Sequence, residues 1–260
     1  MKPSTAPLVG TTLACTTIIT CYITATAITG HVKYWLPDIT HTGLKSPERF
    51  FFRIGFLPAC LLFTASWYLI SIMTSPLKHV SSMNERENEL LLDSLHINQK
   101  MSRPSSVTDS EILLHKIGCW LGQFAGIMLF VGSAVMEEPQ ETLWNLHIFC
   151  ASGFFLVTFV ANIFFVKSIW KHPNIITARS VKLKSILIFI QFMLIAANVV
   201  TTIIQINKGV KHDKTKFPGG PFIEWLITMS QLCFYFSFVY DLKSLEQKFI
   251  IDGENLLKRD

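Results

Sequence analysis

The chain has 260 residues, 50% hydrophobic and only 16% charged, with a net charge of +5 and a mean hydropathy of +0.40. Soluble domains carry charge on about a quarter of their residues, so this composition excludes a water-soluble globule, a disordered chain and a secreted disulfide module. Lys and Arg flank apolar runs instead of gathering on one basic face, which argues against nucleic acid and for the lipid bilayer as partner.

Crossing about 30 Å of hydrocarbon at 1.5 Å per residue takes about 20 mostly apolar residues, and a helix satisfies every backbone N–H and C=O inside lipid. Six runs qualify. The first, 8–29, is diluted by seven threonines between Thr11 and Thr26. Lys2 and Ala25-Thr26-Ala27 also allow it to be read as a cleaved signal peptide, although it lacks a dense leucine core. Segment 31–53 follows. Pro37 and Pro47 prevent a continuous helix there, Gly43 permits a tight reversal, and Trp35, Leu36 and Ile39 are too apolar for a free aqueous loop. It is expected to fold back over one mouth of the bundle.

The second run is 54–73, with Pro58 in its first turn. A polar, Ser- and Glu-rich 75–111 loop then reads as flexible. Runs 117–136 and 143–166 are separated by so short a turn that they must form an antiparallel hairpin. Glu137, Glu138 and Glu141 in that turn are placed to face the lysine-rich 207–216 loop. Runs 185–206 and 221–240 complete the set. In the tail, 241–260, Leu242, Leu245, Phe249 and Ile250 recur near helical spacing, so 241–251 either lies along the interface or continues the last span. The fold class expected is all-α, a polytopic membrane bundle of six transmembrane helices.

Orientation follows from the basic residues. Fifteen of the 23 Lys and Arg fall on the side holding the N-terminus, the 75–116 loop, the 167–184 loop and the tail. The positive-inside rule therefore places both termini in the cytosol and segment 31–53 in the lumen. All six cysteines lie inside predicted spans, and no N-x-S/T acceptor is present, so neither a luminal disulfide framework nor a glycan is indicated.

Ionisable groups inside a membrane are costly and merit scrutiny. His31, His147 and Glu224 gather on the luminal side of this topology, with His41 in the covering loop. A histidine beside a carboxylate can act as general base or pH switch; the alternative is a packing bond between His147 and Glu224. His31, His41 and Glu48 match no defined ligand spacing, so neither metal nor cofactor is expected. No nucleophile elbow, zincin motif, phosphate loop or dinucleotide fingerprint is present, and catalysis is the less favoured reading. Asn162, Gln191, Asn198 and Gln205 read as amides joining helices.

Two segments match an acidic dileucine pattern: Glu87 with Leu91 and Leu92, and Asp252 with Leu256 and Leu257. Sorting adaptors take such segments as extended peptides whose leucines fill a pocket.

Thr29-Gly30-His31-Val32, then Leu36-Pro37, Ile39-Thr40-His41-Thr42-Gly43 and Pro47-Glu48, resemble the first luminal loop of the damage-regulated autophagy modulator (DRAM) family. Glu224-Trp225, followed by Phe234-Tyr235, Phe238, Asp241 and Ser244, resembles that family's last span, and His147 falls where the family places a histidine. His41 stands where the family usually has an acid, and the 75–111 loop is longer than usual. The resemblance implies a lysosomal or late endosomal membrane protein that promotes autophagy and influences cell death or survival. The wider superfamily also includes GPI-anchor lipid-remodelling factors, which leaves a remodelling factor of the secretory pathway as the alternative and a small-solute or lipid transporter as the third.

Overall fold

The computed structural model describes residues 2–33, 36–74, 107–136, 141–172, 175–207 and 219–257; for 205–207, 219 and 248–257 it gives the backbone alone. These residues form seven α-helices and no strand. They are α1 (Thr5–Ile23), which continues as a π turn over Thr24–Ile28, α2 (Ile39–Thr42), α3 (Glu48–Met73), α4 (Asp109–Ala134), α5 (Glu141–Ile169), α6 (Ala178–Asn207) and α7 (Gly219–Leu257). All but the short α2 are long and apolar enough to cross a membrane.

The helices exceed the apolar runs at their ends. A 26-residue helix such as α3 or α4 is about 39 Å long, so its ends emerge from the hydrocarbon and carry charge. Glu48, Arg49 and Arg53 thus belong to α3, not to the preceding loop. α4 starts at Asp109, eight residues before its apolar run. Thr108 accepts the backbone N–H of Glu111 and the Glu111 carboxylate accepts that of Thr108, a reciprocal cap satisfying two helix-end donors. α7 runs unbroken through 257, so the tail continues the last span.

Each helix packs on the next around a ring: α1 on α3, α3 on α4, α4 most extensively on α5, then α6 and α7, with α7 returning to α1 and α3. Lipid supplies no hydrophobic drive between helices, so close approach matters most. A Cβ at Gly118 would lie 2.9 Å from the Phe165 nitrogen and 3.1 Å from the Ala161 oxygen, and one at Gly122 would enter the Trp67 indole. Those glycines let α4 approach α5 and α3.

Trp67, fully buried, fills the centre. Its Nε1 donates to the Tyr235 hydroxyl at 3.2 Å, and the rings of Phe165, Phe234 and Phe238 surround it. Phe63 stacks on Tyr235 with centroids 4.3 Å apart. Nearby, Asn162 donates to the side-chain oxygens of Gln191 (3.2 Å) and Gln231 (3.3 Å), tying α5, α6 and α7 together. The outward surface is apolar; Phe149, Phe189, Trp120 and Ile28 are all well exposed. In α6 only 11% of the most apolar stretch is buried, so most of this helix faces lipid.

Candidate functional site: a clasped cap

Residues 31–33 and 36–47 close one mouth of the ring, with side-chain bonds to α3 and α5 and a backbone carbonyl bonded from α7. The chain leaves the π turn through Gly30, whose φ of +64° lies in the left-handed region that favours glycine. The reversal is therefore carried by Gly30. Gly43 has an ordinary backbone and serves by its lack of a side chain, since a Cβ there would meet Met136 and Phe52 at 2.9 Å.

Glu48, the first residue of α3, has a side chain only 1% exposed. It is held from the end of α1 by the Thr29 hydroxyl and by His31, whose Nδ1 lies 3.0 and 3.2 Å from the two carboxylate oxygens. Against an ionised carboxylate Nδ1 carries the proton, so Glu48 orients the His31 ring. One third of the His31 side chain remains exposed.

His147, on α5, is bonded differently. Its Nδ1 lies 2.8 Å from the Gly132 carbonyl, which only accepts, so the proton sits on Nδ1 and the neutral ring's Nε2 accepts from the Thr40 hydroxyl at 3.2 Å. The ring stacks on Trp144 at 5.4 Å, and Trp144 meets His41 edge-on. His41 Nδ1 lies 3.1 Å from Asp38.

α7 closes the cap from the other side. Trp225 donates its indole N–H to the Pro37 carbonyl at 2.8 Å and packs edge-on against Tyr22 of α1. Glu224 precedes it near the start of α7. Ile39, Thr42 and Leu44 are the buried residues on the underside of the cap itself.

A family model described as "Frag1/DRAM/Sfk1/Cwh43P N-terminal domain" matches residues 4–245. The chain belongs to this family. No curated protein and no solved structure matches the chain. In this Frag1/DRAM chain, His31, Glu48 and Gly43 meet in the cap with Pro37, His147 and Trp225, whereas Tyr235 sits in the aromatic core. His31 and His147, expected in one cluster with Glu224, use different partners: Glu48 for the first, Gly132 and Thr40 for the second. Among the described residues no group of three His, Cys, Asp or Glu is arranged to hold a metal ion.

Asp241 lies in a second network toward the end of the bundle opposite the cap. Lys184 on α6 is fully buried, and its Nζ donates to Asp241 Oδ2 (2.6 Å), Ser237 Oγ (2.7 Å) and Ser180 Oγ (3.0 Å). Asp241 Oδ1 accepts from Ser180 at 2.6 Å. In sequence Lys184 only borders the 185–206 apolar run. The signal that would have revealed the network is a pair of four-residue spacings, Ser180/Lys184 and Ser237/Asp241, each putting two polar groups on one helix face.

At this same end Thr74 and Ser168 meet the buried His115 ring at 2.7 and 3.4 Å, and His172 reaches Glu111 at 3.3 Å. Glu87, Leu91 and Leu92 lie outside the described residues, as do Trp35 and the 137–140 and 208–218 stretches. Asp252–Leu257 is helical in backbone, so presenting it as an extended peptide requires α7 to unwind there.

Proposed function

We propose that this Frag1/DRAM-family protein is a non-catalytic component of the lysosomal or late endosomal membrane. It promotes autophagy and influences cell death or survival through cytosolic partners or through lipid and solute handling. The observation that carries this reading is the family match over residues 4–245. The cap supports the non-catalytic part, because both nitrogens of His147 are engaged in holding loop and helices together. The Trp67 cluster supports it against a transporter, since aromatic rings occupy the middle of the ring of helices. In this proposal both termini are cytosolic, segment 31–53 is luminal, and Leu256 and Leu257 contribute to sorting. The test is to localise a full-length fluorescent fusion and to measure autophagic flux after deletion of the gene. Lysosomal or late endosomal signal with reduced flux is expected; a fusion confined to the plasma membrane with normal flux overturns it.

One observation favours lipid or GPI-anchor remodelling as a second reading. The His31–Glu48 pair is a partly exposed imidazole oriented by a buried carboxylate, an arrangement suited to a general base. Under that reading His31→Ala alters the lipid moieties of GPI-anchored proteins at unchanged abundance of this protein. Unchanged lipid moieties rule it out.

A further inference from the structure

A groove of about 380 Å³ lies between α5 and α6. Its walls are apolar, formed by Ile163, Val166, Trp170 and Ile188, and Lys167 and Lys171 also line it. On α5, Ile163 and Lys167 stand four residues apart and share one helix face, and Lys171 lines the groove from the turn just after the helix. Both lysines are exposed, and so is Trp170, placed at the helix end where an amphipathic ring marks the level of lipid headgroups. Lys171 Nζ lies 3.4 Å from Glu111 Oε1, but that carboxylate also meets His172 and the Thr108 backbone, so its charge is shared. Lys167 has no acidic partner among the described residues. α6, the other wall, turns most of its surface to lipid.

We propose that this groove binds one anionic phospholipid, its phosphate between Lys167 and Lys171 and an acyl chain along Ile163 and Ile188. The occupant follows from complementarity: an apolar slot opening onto the bilayer, with two cationic groups at headgroup depth, matches an amphiphile with a negative head. Basic pockets between membrane helices take anionic headgroups for this reason. A soluble anion gains nothing from the apolar wall, and a zwitterionic lipid brings its own ammonium with the phosphate and so offers the two lysines no net negative charge.

The test uses the full chain purified in detergent, with phosphatidylserine or phosphatidylcholine added, read by native mass spectrometry and thermal unfolding. Expected are one retained phosphatidylserine per chain and a melting temperature several degrees above that with phosphatidylcholine. The Lys167→Gln/Lys171→Gln variant should bind phosphatidylserine at least about tenfold more weakly, since two charge-assisted contacts are lost. Ile188→Trp, which fills the slot and leaves both lysines, should also lose the retained lipid, and it carries the test if the double variant does not fold. Equal retention of phosphatidylcholine, undiminished retention in the variants, or the same stabilisation by inorganic phosphate alone would each overturn the proposal.

Discussion

Replacing Lys184 with methionine should destabilise the bundle more than any comparable surface change. The substitution keeps the length of the apolar stem but removes three donated hydrogen bonds, of 2.6, 2.7 and 3.0 Å. Among the described residues it leaves Asp241, 2% exposed, with the Ser180 hydroxyl at 2.6 Å as its remaining side-chain donor. Stranding one member of a buried ion pair typically costs about 3–5 kcal/mol. For a chain of this size each kcal/mol lowers the melting temperature by roughly 2–4 °C, so a fall on the order of 10 °C is expected. α6 buries little apolar surface, so few other contacts compensate. The companion variant Lys184→Met/Asp241→Leu removes both charges and should recover most of the loss, because well-packed apolar replacements of a buried pair are often neutral. Thermal unfolding of the purified full chain in detergent, followed by circular dichroism, reads both. A single variant within about 2 °C of wild type, or a double variant no better than the single, would refute the assignment of the pair as the pin between α6 and α7.

Other substitutions probe packing and the cap. Gly122→Val should lower the yield of folded protein sharply, since its side chain would collide with the Trp67 indole; overpacking costs about 1–3 kcal/mol or more. His147→Ala should lower abundance and melting temperature by removing the bonds to Gly132 and Thr40, and limited proteolysis within 36–47 should quicken; unchanged proteolysis would mean the ring does not hold the loop. Glu48→Gln weakens the contact to His31 while keeping an acceptor for Thr29, so a smaller loss, about 1–2 kcal/mol, is expected by the same unfolding assay.

The six spans were legible because hydrocarbon thickness demands about 20 apolar residues, and only helices satisfy the backbone there. Their ends were less so. Hydropathy stops where charge begins, yet helices continue until a cap or turn ends them. Thr108-Asp-Ser-Glu111 carried the capping signature of α4 in plain view, ahead of the apolar run. The cap was foreseen from Pro37, Pro47 and the apolar Leu36 and Ile39, but its bonds were not. Pairing His31 with Glu48 and His147 with Thr40 depends on which helix ends come together in space. The same holds for Gly43, where crowding by Met136 and Phe52, rather than backbone conformation, requires glycine. The Lys184 network was not legible, because a cation beside an apolar run ordinarily faces headgroups and only its buried partner on α7 distinguishes it.

The central claim is that six helices cross the bilayer and set the cap on the face opposite both chain ends. Lys45 is exposed within the cap, so Lys45→Cys gives a reporter there, and a cysteine appended at the C-terminus gives a second. A membrane-impermeant maleimide applied to intact, sealed organelles should label the appended cysteine at once and Lys45→Cys only after detergent opens the membrane. Labelling of both positions in sealed organelles would contradict the six-span arrangement, and labelling of Lys45→Cys alone would contradict the cytosolic placement of the chain ends.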